Sequence, residues 1–202
     1  MLNTMTELPF SQACENNKRP ILECLRSVFD QARSVLEIGT GTGQHTVYFA
    51  EALPHLTWQP SDHPDSAHLG QDRLAACEAL NLLPFVALDV GTDDWPIPDV
   101  DAVFSANTAH IMSWAEVERM FEGVAQRLPT GGVFCLYGPF NDQGRYTSDS
   151  NRQFDRYLRS RESHMGIRDT VDLEALAGSV DLRLDDDVSM PANNRILVWR
   201  RL

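Results

Sequence analysis

The sequence predicts an α/β chain whose strands lie parallel in a sheet with helices on both faces. Two observations carry this prediction. Short apolar runs recur at residues 35–38, 85–90, 101–107 and 133–137, bounded by glycine, proline or aspartate, as buried strands are. Stretches with helical spacing lie between them, and such an alternation folds into a parallel sheet through right-handed crossovers. Ligands of these sheets sit beyond the carboxyl ends of the strands, which here gathers residues 37–43, 62, 89, 107–110 and 137–140 on one edge.

In chain order, residues 1–9 read as a frayed start. Residues 10–19 are polar, with a dense cluster at Glu15, Asn16, Asn17, Lys18 and Arg19 that reads as a solvated loop. Pro20 suits the first position of a helix, and Ile21, Cys24, Leu25, Val28 and Phe29 follow with helical spacing. Residues 34–50 hold a buried strand, a glycine turn at 39–43 and a helix that ends before Pro54. A strand at about 56–59 and a helix over roughly 65–80 come next, the latter with Leu69, Ala76, Cys77 and Leu80 on one side. A turn at 81–84 leads into the strand at 85–90. Pro96 and Pro98 stiffen the following loop, and the strand at 101–107 leads to Thr108 and His110. Ser113 and Glu116 have capping-box spacing, ahead of an amphipathic helix marked by Val117, Met120, Phe121, Val124 and Leu128. Residues 129–132 stop that helix before the strand at 133–137.

Residues 141–170 break the rhythm. They hold Arg145, Arg152, Arg156, Arg159, Arg161 and Arg168 around a short helical pattern through Phe154, Tyr157 and Leu158. These read as the charged flanks of an exposed helix, or as a substrate-covering insertion whose arginines pair with an acidic ligand. A helix at 171–178 and two strand-like runs, through Leu184 and at 196–199, complete the chain.

At 202 residues the chain can bury one substantial core, so a single domain over 1–202 is the expectation. No run of about 20 apolar residues is present, nor a basic and then apolar leader pattern, so a cytoplasmic protein with no membrane partner is expected. A net charge of −12 repels nucleic-acid backbones. Cys14, Cys24, Cys77 and Cys135 form no Cys-x-x-Cys pair, and the histidines lack metal-ligand spacing, so no metal is expected. Oligomeric state leaves no mark on the sequence.

The glycine turn discriminates between ligands. Gly39, Gly41 and Gly43 let the backbone approach a ligand where a Cβ would collide, and a helix N-terminus follows directly. Neither glycine register gives the Gly-x-Gly-x-x-Gly of a dinucleotide turn, which argues against a nicotinamide-dependent reductase. The chain's lone lysine is Lys18, so no P-loop is present. What stands here is Glu37-x-Gly39-x-Gly41-x-Gly43. A carboxylate facing the turn would repel pyrophosphate and favour a ligand with a cationic end, such as the ammonium and sulfonium of S-adenosylmethionine (SAM).

With this motif the sequence resembles the class I SAM-dependent methyltransferases. The resemblance implies their Rossmann-like fold, with a seven-stranded, mostly parallel sheet and an antiparallel last strand. It also implies an N-terminal lid, here residues 1–32, over the cofactor. Asp62, nineteen residues past Gly43, matches the acid placed on the ribose hydroxyls; a helix N-cap ahead of Pro64 is the alternative. Asp89 matches the strand-end acid near the adenine; a turn residue is the alternative. Glu37, Gly39, Gly41, Gly43, His45, Asp62, Asp89 and Asn107 are thus the cofactor-binding candidates. A closer resemblance, over residues 10–22, 41–45, 58–62, 137–140 and 190–194, is to domain-of-unknown-function family 938, of the methyltransferase-like protein 26 type. It departs at Gly39-Thr40, where that family has Ala-Ser.

Methyl transfer from a sulfonium mainly requires an oriented nucleophile, and a base helps if the nucleophile arrives protonated. His110 is the candidate base, or a structural histidine bonded to a loop carbonyl. Tyr137 is a second catalytic candidate. Asn16, Arg19, Asn193 and Asn194 are candidate substrate contacts; the last two also read as turn formers. The Asn/Asp-Pro-Pro-Tyr signature of nucleobase amino methylation is absent, as is a strand-end acid at 107 for metal-dependent catechol methylation. The expectation is a SAM-dependent methyltransferase acting on a small molecule and releasing S-adenosylhomocysteine. The alternative is a SAM-binding or partner-binding module without transfer of its own.

Overall fold

A computed structural model describes residues 8–92 and 94–202; most of the start expected to fray lies outside them. Helix α1 (Gln12–Val28) precedes β1 (Ser34–Ile38), α2 (Gln44–Ala52) and β2 (Thr57–Asp62). A 3-10 turn (Pro64–Leu69), α3 (Gln71–Ala75) and β3 (Val86–Ala87) follow, then β4 (Ala102–Ala106), α4 (Trp114–Arg127) and β5 (Val133–Gly138). The remainder is β6 (Phe140–Asn141), α5 (Asp149–Arg161), β7 (Arg168–Asp169), α6 (Thr170–Ser179), β8 (Leu182–Met190) and β9 (Asn194–Arg201).

Seven strands form one sheet in the order β3-β2-β1-β4-β5-β9-β8. β1 pairs in parallel with β2 and β4, and β4 with β5, while β9 runs antiparallel to both β5 and β8. The expected sheet and antiparallel last strand are therefore present. β6 and β7 make a separate parallel pair. Side chains alternate between two buried layers, as the strand period requires. Leu36, Val103, Phe134, Leu197 and Trp199 pack with α4 and α6. Val35, Phe104, Cys135 and Val198 pack with α1 and α2.

Three elements differ from expectation. Pro20 lies inside α1 and does not open it; Ser11 caps the helix instead, its hydroxyl accepting from Cys14 N at 3.3 Å. The proline leaves one i−4 carbonyl without a donor, but burial of Ile21, Leu22 and Leu25 holds the helix together. The polar cluster at 15–19 is consequently helical. The helix expected at 65–80 is a 3-10 turn and the short α3, divided at Gly70, which packs so closely on the turn that a Cβ would sit 2.8 Å from the Gly41 carbonyl oxygen. The third strand is two residues long and pairs opposite Ser61 and Asp62. Pro60, in β2, points toward this short side of the sheet, where a missing N–H breaks no ladder. Asn81 closes the region, its amide donating to the carbonyls of Ala50, Leu53 and Leu56.

The irregular stretch after β5 is organised by Asp155 of α5, which is 1% exposed. Burial raises its pKa, but Arg159, the Ile167 N–H and the Tyr146 hydroxyl more than offset this and hold it below its ordinary value. Arg145, Arg152, Arg156, Arg159 and Arg161 are exposed.

Candidate functional site

The glycine turn is built where β1 ends. Gly39 N and Thr40 N both donate to Ser61 O, at 2.9 and 3.0 Å, which folds the chain back over β2. Gly39 has φ +83°, and a Cβ there would lie 2.3 Å from Thr108 Cγ2, so beside Thr108 glycine fits where a side chain would have to displace that methyl. Gly41 also has positive φ, and a Cβ there would meet nothing within 4 Å. Asp62 pins this open peptide: its Oδ2 accepts from Gly41 N at 2.6 Å and its Oδ1 from His63 N at 2.8 Å. Burial raises the Asp62 pKa, with the two N–H donors acting in the opposite sense. The cap of the following 3-10 turn is His63, whose Nδ1 accepts from Asp65 N, so Asp62 does not fill the capping role.

A cavity of about 880 Å³ opens at this carboxyl edge of the sheet. The turn at 39–42, His45, Asp62, His63, Leu88 and Asp89 wall one half of it. Asn107, at φ +61°, stands at the end of β4. His110, Pro139, Asn151, Phe154, Asn193 and Asn194 wall the other half. Asp62, Asp89 and Glu116 bring carboxylates to the wall, and among the described residues no lysine or arginine lines it. The reading of the six arginines as partners for an acidic ligand therefore fails; even half-buried Arg168 spends its guanidinium on the carbonyls of Ala109, Met112 and His164.

Nine of the sequence candidates share this cavity: Gly39, Gly41, His45, Asp62, Asp89, Asn107, His110, Asn193 and Asn194. Five do not, and the reasons are physical. Glu37 is 2% exposed, and its Oε2 accepts from Thr46 Oγ1 at 2.5 Å and Trp58 Nε1 at 2.9 Å. It faces the α2 layer beneath the turn, not the ligand side. Burial raises its pKa to about 7, with the two donors lowering it. Gly43 is the left-handed N-cap of α2, covered by Arg73, Leu74 and Gly70. Tyr137 is 3% exposed and packs in the α1–α2 layer. Burial raises its phenol pKa, and the amides of Asn17 and Asn194 engage the hydroxyl. Asn16 and Arg19 are exposed on the outer side of α1, Asn16 bonding to Gln12.

The inward position of α1 is Asn17, whose Oδ1 lies 2.6 Å from His45 Nε2. With Ser11 N on Gln44 Oε1 at 2.6 Å, this ties α1 to the start of α2. Arg73 adds a further tie, donating from Nε to Thr42 O at 2.9 Å and from a terminal nitrogen to Pro9 O at 2.7 Å. Sequence reasoning missed Asn17, Thr108, Asn151 and Phe154. Asn17 had a signal, since it falls on the helix face of Ile21 once Pro20 is allowed inside the helix. Asn151 and Phe154 had none beyond their i, i+3 spacing.

His110 is 7% exposed. Its ring packs edge-on against Phe154 at 5.2 Å, and among the described residues neither ring nitrogen has a hydrogen-bond partner. The loop carbonyl expected as the alternative partner is absent from its surroundings. Burial, then the nearby Arg168, lowers its pKa to about 4, so the ring is neutral at pH 7. No group of three or more His, Cys, Asp or Glu side chains capable of holding a metal occurs among the described residues, and no helix among them is long and apolar enough to cross a membrane.

A family model described as "Protein of unknown function (DUF938)" matches residues 8–201. Among solved structures, an O-methyltransferase family protein from Burkholderia thailandensis superposes with a TM-score of 0.79 at 17% identity, over 91% of this chain and 56% of that one. An O-methyltransferase family 2 protein from Planctomyces limnophilus, in complex with apigenin, gives 0.79 at 16% over 94% and 58%. Human N-acetylserotonin methyltransferase in complex with SAM gives 0.77 at 17% over 94% and 53%. At these identities the likeness establishes the fold, that of the Rossmann-like class I methyltransferases. The chain spans somewhat over half the length of these structures.

Proposed function

We propose, from the premise that this chain belongs to the DUF938 family and has the class I methyltransferase fold, that it is a SAM-dependent methyltransferase acting on a small molecule. The observation that supports this reading best is one continuous cavity with two chemically different halves. Its volume of about 880 Å³ lies toward the upper end of the roughly 300–1,000 Å³ usual for small-molecule sites. The residues fit the cofactor: an open glycine turn, strand-end acids at Asp62 and Asp89, and carboxylates without opposing cations suit a ligand with a sulfonium and an ammonium.

When bound, SAM would supply an already activated methyl group. In this reading Asp62 holds the turn and takes ribose hydroxyls on its remaining lone pairs, Asp89 lies at the adenine end, and Asn107 shapes the wall between the halves. His110 accepts a hydrogen bond from the nucleophile and orients it. Glu37 acts at one remove, as a buried post that fixes the turn through Thr46 and Trp58.

The binding-module alternative draws on one observation. A histidine with pKa about 4 is a weak base at neutral pH, where catalytic bases are tuned near the working pH. Two measurements decide. Calorimetry with SAM is expected to show specific one-site binding, and its absence ends both readings. Release of S-adenosylhomocysteine on incubation with SAM and a cell extract, followed by mass spectrometry, is expected for the enzyme; binding without turnover would leave the module.

A further inference from the structure

The half of the cavity beyond Asn107 is lined by two largely buried polar side chains whose hydrogen-bonding capacity the protein leaves partly unused. His110 is 7% exposed and has no partner for either ring nitrogen among the described residues. Asn151 is 5% exposed. Its amide nitrogen spends both hydrogens, on Thr147 Oγ1 at 2.9 Å and on the Asn193 carbonyl at 3.1 Å, and its Oδ1 has no partner among the described residues. Polar groups held inside a fold are almost always paired, so unpaired ones on a cavity wall are free to pair with what enters. Two such groups on one cavity wall, with Phe154 packed on His110 one helical turn from Asn151, describe a prepared binding surface.

Its charge is equally informative. Among the described residues no lysine or arginine lines this half; Asp62 and Asp89 belong to the other, and the Glu116 carboxylate, within electrostatic reach of Arg168, is engaged by Ser113 N in the cap of α4. Arg168 stands behind His110 with its guanidinium taken up by three carbonyls. A charged acceptor group brought here would lose its hydration without gaining a free counter-charge. A neutral group with hydrogens to donate would satisfy a neutral imidazole and an amide oxygen together.

We infer that the methyl acceptor, on the reading of the site given above, is an uncharged, flat molecule that presents N–H or O–H donors to His110 and Asn151.

Benzamide, benzoate and benzamidinium share size and shape and differ in charge. Each is titrated into the SAM-bound protein carrying 13C-labelled histidine, and the His110 ring signal, assigned with His110→Gln, is followed by NMR. Benzamide is expected to move that signal with a dissociation constant at least about tenfold below those of the two ions. Equal or tighter binding of benzoate or benzamidinium overturns the proposal, as does a His110 signal that none of the three moves. Asn151→Asp, which places a carboxylate in the chamber, is expected to reverse the order in favour of benzamidinium; an unchanged order counts against Asn151 as the second contact. Calorimetry with SAM on the same samples keeps the two ideas apart. A protein that binds SAM but prefers an ion refutes the acceptor class alone, whereas one that does not bind SAM refutes the cofactor reading.

Discussion

His45 and His110 are both nine-tenths buried or more, both have their pKa lowered to about 4 by burial, and both line the same cavity. They differ in what the fold does with them. His45 bonds to Asn17 and stacks on Phe49 with ring centroids 5.2 Å apart; His110 is left with an aromatic edge and two unpaired nitrogens. The same contrast separates the two halves of the site. Around the glycine turn, Asp62, His45 and Gln44 are paired and hold a fixed shape, with the buried Thr40 hydroxyl as the exception, unpaired among the described residues. Around His110 and Asn151, they are held in position and left available. A polar side chain whose pairing is complete builds the site, and one whose pairing is incomplete is positioned to meet a ligand.

The largest expected effect tests the fixed half. Gly39→Ala must place a Cβ 2.3 Å from Thr108 Cγ2 at positive φ. Left-handed strain and overpacking together are expected to cost about 4 kcal/mol, measured by urea unfolding. Thr108→Ser in the same chain should recover part of the loss, and no recovery would put the strain elsewhere.

Glu37 gives the next effect, through pH. Its folded pKa of about 7 exceeds the ordinary carboxyl value of 4.5, so the folded state binds the extra proton between those values. This contribution to stability is full below about pH 4.5 and is lost as pH rises toward 7. His45 and His110 act in the opposite sense, losing their contribution as pH falls from 6.5 toward 4. Glu37→Gln is therefore expected to be more stable than wild type at pH 8, relative to their difference at pH 4.5, by about 3 kcal/mol. Equal pH profiles for the two proteins would mean that Glu37 is not buried under the turn.

Asp62→Ala removes the anchor of Gly41 N and is expected to weaken SAM binding by about tenfold or more, with calorimetry as the check. His45→Ala should cost about 2 kcal/mol more stability than His110→Ala, because it alone breaks a buried pair; equal losses would erase the contrast between the two histidines. The smallest effects belong outside the cavity. Asn16→Ala and Arg19→Ala are expected to stay within about 0.5 kcal/mol of wild type and to leave SAM affinity unchanged, and a clear loss of binding in either would return the outer side of α1 to the site.

Much of this was legible in the residues. The spacing of the three glycines and the apolar runs placed the turn and the edge of the sheet, and the family resemblance added most of the nine cavity-lining candidates. The strand order needed the family resemblance, since pairing order leaves no periodicity. What failed did so where a local rule met a tertiary contact. Pro20 obeys a helix-start preference that burial of Ile21, Leu22 and Leu25 overrides. The helix expected over 65–80 carried no sign that Gly70 packs against Gly41, where the helical path divides. Glu37 was judged by its distance from the glycines. Strand alternation places it on the face of Val35, toward Thr46 and Trp58, and that parity was available in the sequence. Asn151 belongs to a helix that reaches the site from a distant part of the chain, and nothing local to it signals this.

Arg73 joins two places far apart in the sequence. One planar head group grips the peptide of Thr42 beside the ligand and the peptide of Pro9 ahead of α1. A ligand that shifted the first peptide would load the second through this one side chain, so filling of the cleft is expected to be felt in the stretch ahead of α1. Amide exchange along residues 10–14 would thus serve as a remote gauge of whether the cleft is filled, and replacing Arg73 with a shorter side chain would disconnect it.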